Sequence, residues 1–227
     1  MQFIQKQNSQ PVDWDTWFTT ATGRRSYDYG ADNDSLTQLS NARNFLVNEQ
    51  SGLCAYCQRK ITLESSTIEH VIPKEFNKDL STDYHNLVAV CIPKGKDENG
   101  KYHCDKSKLS QKILPIIFFS DALVTQQSNS IYFMCYPDGS VIAKSNNDIN
   151  LKKQVEAFIE ILNLNHKDLI KKRKDAWVAL TDIYQAVPQY QREKFWKNQF
   201  ENILINQSKE YRQFLLIYLG SKKIGIN

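Results

Sequence analysis

The sequence has no long apolar run. Its longest uninterrupted one, Ile113 to Phe119, contains a proline and is seven residues long, whereas a membrane-spanning helix needs about 20 apolar residues. The first residues, Met1 to Gln7, show no basic start followed by an apolar stretch. We therefore expect no membrane segment, no secretory leader and a cytoplasmic location.

Cysteine is also scarce, with 5 in 227 residues, and the chain has no internal repeat and no low-complexity tract. So few cysteines do not form a disulfide scaffold, and in a reducing compartment they serve as metal ligands or core residues. Hydrophobic residues make up 41% and charged residues 24% of the chain. These are ordinary values for a globular protein, so they exclude disordered and fibrous classes.

Positive charge is concentrated in the last third of the chain. The formal net charge is +4, which divides into −2 for residues 1–150 and +6 for residues 151–227. The densest group is Lys167, Lys171, Lys172, Arg173 and Lys174. Such a group is either a solvated helix face or a surface that binds nucleic-acid phosphates, and it becomes the second only if other features require nucleic acid.

Apolar residues at helical spacing predict helices near both ends of the chain. The first helix, with Ser35 as a candidate cap, should end near Gly52. Residues 151–187 and 189–219 are helical by the same criterion. The apolar stretch Phe214 to Leu219 could form a partner interface, but its spacing is more typical of a core helix.

Between the helices, the pattern changes to short strands and turns. Residues 131–143 resemble a β-hairpin around Pro137, Asp138 and Gly139. We expect an α+β, mostly helical fold. Its predicted parts are an N-terminal helical segment (1–53), a central core (54–115), a hairpin-containing connector (116–150) and a basic helical region (151–227).

The central core has the order strand, loop, strand, helix. Thr67 to Ile72 reads as a strand that Pro73 stops, and Asn86 to Cys91 reads as a second strand. Cys104 to Lys112 reads as a helix that ends before Pro115. These elements form a ββα unit.

Four of the five cysteines lie in or beside this unit. Cys54 and Cys57 form a C-x2-C pair, and Cys91 and Cys104 follow with 12 residues between them. A C-x2-C turn places two thiolates on one side of a tight loop, which suits tetrahedral zinc. Structural zinc is favoured over a redox pair or isolated buried thiols. His103 is an alternative ligand if Cys91 points away.

Acidic and imidazole side chains of the same unit suggest a second centre. Glu69 and Asp105 offer hard oxygen ligands for Mg²⁺ or Mn²⁺. His70 offers a neutral imidazole near neutral pH, able to accept a proton from water. Asn86 could bond a backbone carbonyl in the Glu69–Asn86 loop and hold His70 in place. Asp105 and Lys108 share one helix face at i,i+3 spacing.

With these motifs in the same order, the chain resembles the HNH endonucleases, which have a ββα-metal core and a zinc-bound frame. The motifs that carry the resemblance are Cys54-x2-Cys57, Glu69-His70-x2-Pro73-Lys74, Asn86-Leu87, Cys91 and Cys104-Asp105-x2-Lys108. More closely, the chain resembles the PtuB-type HNH nucleases of Septu and retron-associated phage-defence systems. The segment Leu162-Asn163-Leu164-Asn165 belongs to that closer likeness.

The resemblance implies a role for each residue. His70 would be the general base, Asn86 the orienting residue and Lys108 a contact to phosphate or developing charge. Glu69 and Asp105 would hold a catalytic Mg²⁺ or Mn²⁺. Structural zinc would be held by Cys54, Cys57, Cys91 and Cys104.

The resemblance also implies partners and leaves rivals open. The substrate would be nucleic acid, either DNA or structured RNA such as tRNA. The partners would be a PtuA-like ATPase and a retron reverse transcriptase with its reverse-transcribed DNA. A non-catalytic, zinc-stabilised adaptor for nucleic acid or protein explains the cysteines equally well but not the acidic set. A cysteine-dependent hydrolase or oxidoreductase is the weakest alternative, because no spacing selects an activated thiol.

Overall fold

A computed structural model describes most of the chain outside its first 32 residues. The described residues are 4, 6, 33–77, 80, 83–114, 132–144 and 148–221, with side chains omitted for 33–38 and 221. Most of the predicted N-terminal segment and of the predicted connector therefore lies outside the described residues. The rest is α+β with helix predominating, as predicted.

The first helix, α1, spans Asn33–Glu49. It begins two residues before Ser35, so the prediction of a Ser35 cap is wrong. After the helix the chain reverses at Gly52, which has a φ of +71° and whose N–H donates to the Val47 carbonyl at 2.8 Å. A positive φ favours glycine, because a Cβ would be strained there. The helix packs on the central sheet through buried residues such as Leu46.

The predicted ββα unit is present. Strand β1, Ser66–His70, pairs antiparallel with β2, Leu87–Cys91, in a register that sets His70 opposite Leu87. All five residues of β2 are buried, which agrees with its continuous apolar composition. Helix α2, Asp105–Lys108, follows.

The structure corrects the predicted bounds of this unit. β1 ends at His70 rather than Ile72, and Asn86 lies in a 3-10 turn, Tyr84–Asn86, rather than in the second strand. The predicted helix from Cys104 to Lys112 ends at Lys108, because Leu109 has a φ of +51°, which no α-helix continues.

The predicted hairpin is also present, as β3, Phe133–Cys135, paired with β4, Val141–Ala143. Its turn contains Gly139 with a φ of +93°. A Cβ at Gly139 would lie 2.1 Å from the carbonyl oxygen of Ile170 in the following helical region. The turn can therefore contact that helix only because it has no side chain there.

Four helices form the C-terminal region: α3, Ile149–Ile161; α4, Lys167–Gln185; α5, Arg192–Ile205; and α6, Arg212–Ser221. The helical ranges predicted at residues 151–187 and 189–219 are thus each interrupted, the first between α3 and α4 and the second between α5 and α6. Residues 214–219 of α6 are all buried, so the core interpretation of that stretch is confirmed. None of the described helices is long and apolar enough to cross a membrane.

The interruption at residues 162–165 connects the helical region to the ββα unit and to the hairpin. The Leu162 carbonyl accepts from the Cys104 N–H at 2.9 Å, and the Asn163 amide donates to the Tyr102 carbonyl at 2.9 Å. The Asn165 side chain pairs with both backbone groups of Val141, at 2.9 and 2.8 Å. Such paired amide contacts fix the relative positions of these segments.

Candidate metal-binding and catalytic sites

Four cysteine sulfurs converge at one end of the ββα unit. The sulfur of Cys91 lies 3.6 Å from Cys57 and 3.8 Å from Cys104, and that of Cys54 lies 4.0 Å from Cys104. A tetrahedral ion with sulfur ligands at about 2.3 Å requires sulfur–sulfur separations of about 3.8 Å. The separations are too long for disulfides, and all four thiols are free and buried. The cluster therefore has the dimensions of a tetrahedral metal site.

Local backbone contacts build this cluster from the C-x2-C segment. The Cys54 N–H donates to the Arg59 carbonyl at 2.9 Å, and Gln58 takes a φ of +62° to close the turn. The Ala55 N–H donates to the Ala89 carbonyl of β2 at 3.1 Å. The turn is thereby fixed beside the strand that ends in Cys91.

The electrostatics of the cluster favour one thiolate even without an ion. Burial by itself would raise the pKa of Cys54, but hydrogen bonds from Cys104, Cys57 and Cys91 outweigh it and lower that pKa well below its ordinary value. Burial raises the pKa of Cys104. A thiolate at Cys54 would place negative charge inside the protein, and a bound cation would stabilise that charge.

His103 lies beside the cluster but outside it. Its Nδ1 is 3.1 Å from the Cys104 sulfur and 3.9 Å from that of Cys91. Among the described residues, the group whose ligand atoms all lie within 4.8 Å of one another consists of four cysteines and includes Cys91. The geometry therefore favours Cys91 over His103 as the fourth ligand.

The acidic set gathers around one lysine on the other side of the unit. The Lys108 ammonium donates to Glu69 Oε1 at 2.6 Å and to the His70 carbonyl at 2.9 Å. The Tyr56 hydroxyl donates to the same Glu69 oxygen at 3.3 Å. Glu69 and Lys108 are 7% and 1% exposed, so this is a buried ion pair next to the predicted base.

The carboxyl of Glu69 is poorly stabilised as an anion despite that pair. Burial raises its pKa to about 7; Lys108 opposes the shift, and nearby Asp105 adds to it. The short ion pair and the raised pKa act in opposite directions, and burial, the larger of the two effects, prevails. The buried Glu69 carboxyl and the half-buried Asp105 carboxyl beside it suit a divalent cation, which would relieve their repulsion.

Asn86 is bonded to the chain that follows β1. Its amide nitrogen donates to the carbonyls of Ile72 at 2.9 Å and Leu80 at 3.0 Å, and its side-chain oxygen accepts from the Ile72 N–H at 2.8 Å. The Val71 N–H donates to the Asn86 carbonyl at 3.0 Å. Asn86 therefore holds the exit of β1, immediately after His70, in place.

His70 is the last residue of β1 and is half-buried. Its carbonyl shares Lys108 with Glu69. Its imidazole is close enough to Glu75 to affect it: the pKa of Glu75 is held below its ordinary value by its own backbone N–H, by Ser110, and by the charges of Lys74 and His70. The charge of the imidazole therefore acts on the loop that follows β1.

Two predicted phosphate contacts are not at the surface. Lys108 is buried against Glu69, so its predicted role as a phosphate contact is corrected to a buried ion pair. Arg173 is 6% exposed, donates to the Leu169 carbonyl at 3.1 Å and to the Leu164 carbonyl, and lies over the Phe214 ring. It is a core residue and not part of a basic face. The remaining basic side chains of the group, Lys167, Lys171, Lys172 and Lys174, are exposed on α4.

Sequence reasoning missed Tyr56. It lies between the two cysteines of the C-x2-C turn, is fully enclosed, and packs edge-to-face on Phe158 with ring centroids 6.4 Å apart. Burial and the neighbouring Glu69 charge raise the pKa of Tyr56 well above its ordinary value, so it remains a hydrogen-bond donor. The sequence did contain a signal for this role: Tyr56 lies inside the Cys54–Cys57 turn and can therefore connect the cysteine cluster with the acidic set.

Comparisons with known proteins agree with this geometry. Residues 54–92 match the HNH endonuclease family model. The chain is 28% identical over 147 residues to the "Retron Vc95 putative HNH endonuclease" of Vibrio cholerae serotype O1 biovar El Tor, an alignment that covers 63% of this chain and 67% of that protein. The chain therefore carries an HNH endonuclease domain, and both findings support nuclease activity. Asp105 and Lys108 lie beyond the family match, so the structure alone places them beside Glu69.

Proposed function

We propose that this chain, with its HNH domain at residues 54–92, hydrolyses phosphodiester bonds in nucleic acid as the effector nuclease of an anti-phage defence system. The observation that carries the chemistry is the buried Glu69 carboxyl next to the half-buried Asp105, beside the end of the strand that bears His70. The likeness to a retron-associated protein supports the defence setting. Nothing in the adaptor hypothesis requires such an arrangement.

In this proposal, His70 accepts the proton of the attacking water and Asn86 fixes the backbone that carries it. Glu69 and Asp105 hold one Mg²⁺ or Mn²⁺. The bound ion would supply charge stabilisation for the phosphate and the leaving oxygen. Lys108 keeps Glu69 oriented from inside the protein rather than contacting phosphate.

The cysteine cluster is proposed to hold zinc. Four thiolate-type ligands at tetrahedral separations leave no open position for water, which is typical of a structural site. The same view makes residues 54–115 the nuclease unit, with 1–53, 116–150 and 151–227 as its flanking parts. The five free cysteines suit the reducing cytoplasm, which we propose as the location.

The proposed partners are those of the closer likeness: a PtuA-like ATPase, and a retron reverse transcriptase with its reverse-transcribed DNA. The name of the Vibrio relative supports the retron connection. The proposed nucleic-acid surface includes the exposed lysines of α4, Lys167, Lys171, Lys172 and Lys174. The assignment to the PtuB type rests on the motifs given above.

The decisive test is cleavage by the purified full chain, with and without its operon neighbours, on DNA and RNA in Mg²⁺ or Mn²⁺. Replacing His70 by alanine should lower the cleavage rate by about 10²–10⁴-fold, the usual contribution of a positioned base. The matched control is His85→Ala, which removes an exposed histidine of the 3-10 turn and should leave cleavage unchanged. Equal cleavage by His70→Ala and the parent would refute the assignment.

A non-catalytic adaptor remains the second candidate, and one observation favours it. The Lys108 ammonium already neutralises Glu69 at 2.6 Å, so the acidic set has a cation of its own. The adaptor predicts nucleic-acid or protein binding that neither Mg²⁺ nor Mn²⁺ changes and no metal-dependent cleavage under any of the conditions above.

A further inference from the structure

Two large apolar side chains are exposed beside the acidic centre. Phe76, on the loop after β1, is 58% exposed, and Leu109, directly after α2, is 70% exposed. We call these two residues, together with Lys112, the exposed edge. One exposed apolar side chain is ordinary on a protein surface, but two on adjoining loops next to a candidate site mark a candidate binding surface.

Contacts between their neighbours show that the two loops meet. The Ser110 hydroxyl donates to Glu75 Oε1 at 3.1 Å, which joins the residue after Leu109 to the residue before Phe76. The Lys112 ammonium lies 5.9 Å from the centre of the Phe76 ring. The edge therefore consists of an aromatic face, an aliphatic side chain and a cation in one small region.

Leu109 is kept there against the preference of its backbone. Its φ and ψ are +51° and −133°, and the Gln111 N–H donates to the Lys108 carbonyl at 3.0 Å to close the turn. This is the second position of a type II′ turn, where glycine is the favoured residue. A leucine that gains no burial at a strained position suggests a function outside folding.

The edge adjoins the proposed reaction centre. Leu109 directly follows Lys108, which bonds both Glu69 and the His70 carbonyl. On the other loop, Glu75 precedes Phe76, and the charge of His70 contributes to lowering the pKa of Glu75. A nucleic-acid strand with its phosphate at His70 would thus place adjacent bases within reach of Phe76 and Leu109.

We infer that Phe76 and Leu109 contact unstacked bases of the bound nucleic acid, Phe76 as a stacking surface and Leu109 as a wedge. This inference rests on the proposed function and adds a substrate class to it: nucleic acid with unpaired bases near the scissile phosphate. Aromatic faces stack on any base, and aliphatic side chains insert between base steps that are already open. The exposed lysines 74, 106 and 112 complement a phosphate backbone better than an apolar protein surface.

Binding is measured by fluorescence anisotropy in a His70→Ala background, so that the probe is not cut. The probes are a labelled single-stranded DNA, its RNA equivalent and the matched DNA duplex. Phe76→Ala should weaken binding of at least one single strand by roughly 5–100-fold, the effect of losing one stacked base, and should change duplex binding less than about twofold. Phe76→Trp should restore single-strand binding, because it restores the stacking face.

Leu109→Gly separates function from folding. Glycine suits the positive φ, so this variant should melt no lower than its parent and still lose single-strand affinity. Tyr190→Ala is the matched control, since Tyr190 is an 84% exposed aromatic residue between α4 and α5. It should bind every probe as its parent does.

A 2-aminopurine base in the single strand gives a second readout, because its fluorescence falls when it stacks on a ring. Phe76→Ala should abolish that quenching. Unchanged single-strand binding in Phe76→Ala, or an equal loss on single strand and duplex, would overturn the inference and point to a protein partner for the edge. Absence of metal-dependent cleavage with His70 intact would instead refute the proposed function, and the binding comparison would still stand.

Discussion

The two ends of the ββα unit offer a metal cation different ligands. At one end, four buried sulfurs lie within 4.8 Å of one another, and three of their separations are 3.6–4.0 Å. At the other, the buried Glu69 carboxyl pairs with a buried lysine, near Asp105 and a half-buried histidine. The sulfur end offers ligands that fill a coordination shell, whereas the acidic end offers only two, so room remains for water and phosphate. Under the proposed function, this difference separates a structural centre from a reactive one.

The two ends are also mechanically connected. Tyr56 belongs to the cysteine turn and bonds Glu69 at 3.3 Å. Cys104 precedes Asp105, the first residue of α2. An ion at the sulfur end would therefore hold in place both Tyr56, a donor to Glu69, and Asp105, one of the proposed ligands. We expect loss of the sulfur-bound ion to disturb the acidic end, and changes at the acidic end to leave the sulfur end intact.

The largest effect should come from Cys54→Ser. Loss of one ligand leaves buried thiols without their cation, and structural zinc supplies about 10–16 kcal/mol in small zinc modules. We expect loss of bound zinc, measured by elemental analysis, and loss of the cooperative thermal transition. Cys135→Ala is the control: it removes a buried cysteine of β3 outside the cluster and should retain zinc. Full zinc content in Cys54→Ser would contradict the cluster.

Lys108→Met should be the next largest. It removes the buried partner of Glu69, and breaking one side of a buried ion pair costs about 3–5 kcal/mol. Chemical denaturation above about pH 7, where Glu69 is mostly ionised in the parent, should show this loss, with zinc content unchanged. The double variant Lys108→Met/Glu69→Gln should recover most of it, because no uncompensated charge remains. A cost that the double variant does not reduce would mean that Lys108 matters for packing alone.

The acidic end also predicts a pH dependence. Burial first, and Asp105 after it, raise the pKa of Glu69 from 4.5 to about 7. The folded protein then binds more protons than the unfolded chain between those values, so this group lowers the free energy of unfolding as pH rises through that window. The difference between wild type and Glu69→Gln should change by about 3 kcal/mol between about pH 4.5 and 7.

The measurement is urea unfolding of both proteins across that range without added Mg²⁺ or Mn²⁺. Because a divalent ion competes with the proton for Glu69, added Mn²⁺ should bind more tightly as pH rises toward and past 7. A flat difference between the two proteins would mean that Glu69 ionises normally in the fold.

Asn163→Gly tests whether the segment between α3 and α4 stabilises the sulfur end. Asn163 has a φ of +46° and donates to the Tyr102 carbonyl and to Asp97, at 2.9 and 3.0 Å. Glycine keeps that backbone conformation but loses both bonds, so we expect a loss of about 1–2 kcal/mol and faster zinc release to a chelator. Asn163→Ala should lose more, since alanine adds backbone strain. Unchanged zinc release in both variants would show that this segment does not stabilise the metal centre.

The part of the site that sequence could predict is the part set by ligand chemistry. A C-x2-C turn with two further cysteines around a ββα pattern predicts a common site because sulfur ligands must converge. Burial was not predictable in the same way. Lys108 and Arg173 look like ordinary surface cations in sequence, yet both are enclosed because partners distant in the chain, Glu69 and Phe214, surround them.

The break in the predicted 151–187 helix has the same origin. Apolar residues at helical spacing lie on both sides of this break, at Phe158 and Leu162 and again at Leu169, so periodicity carried the predicted helix across the interruption. The helix stops there because Asn163 and Asn165 bond backbone groups near Tyr102 and at Val141. Tertiary contacts of this kind override local helical preference.

The smallest effect, and the one that concerns neither end directly, should come from the exposed lysines of α4. The triple variant Lys171→Ala/Lys172→Ala/Lys174→Ala should weaken nucleic-acid binding evenly across sequences. It should also make the slope of log affinity against log salt less steep, by about 0.7–0.9 for each lysine that contacts phosphate. Melting temperature should hardly change, since these side chains are solvated.

Arg173→Ala is the contrast within the same stretch: it should destabilise the fold through the lost core contacts and leave the salt slope as it was. An unchanged salt slope in the triple variant would show that the basic excess of this region is only a solvated helix face, and nucleic acid would then have to be held at the acidic end alone.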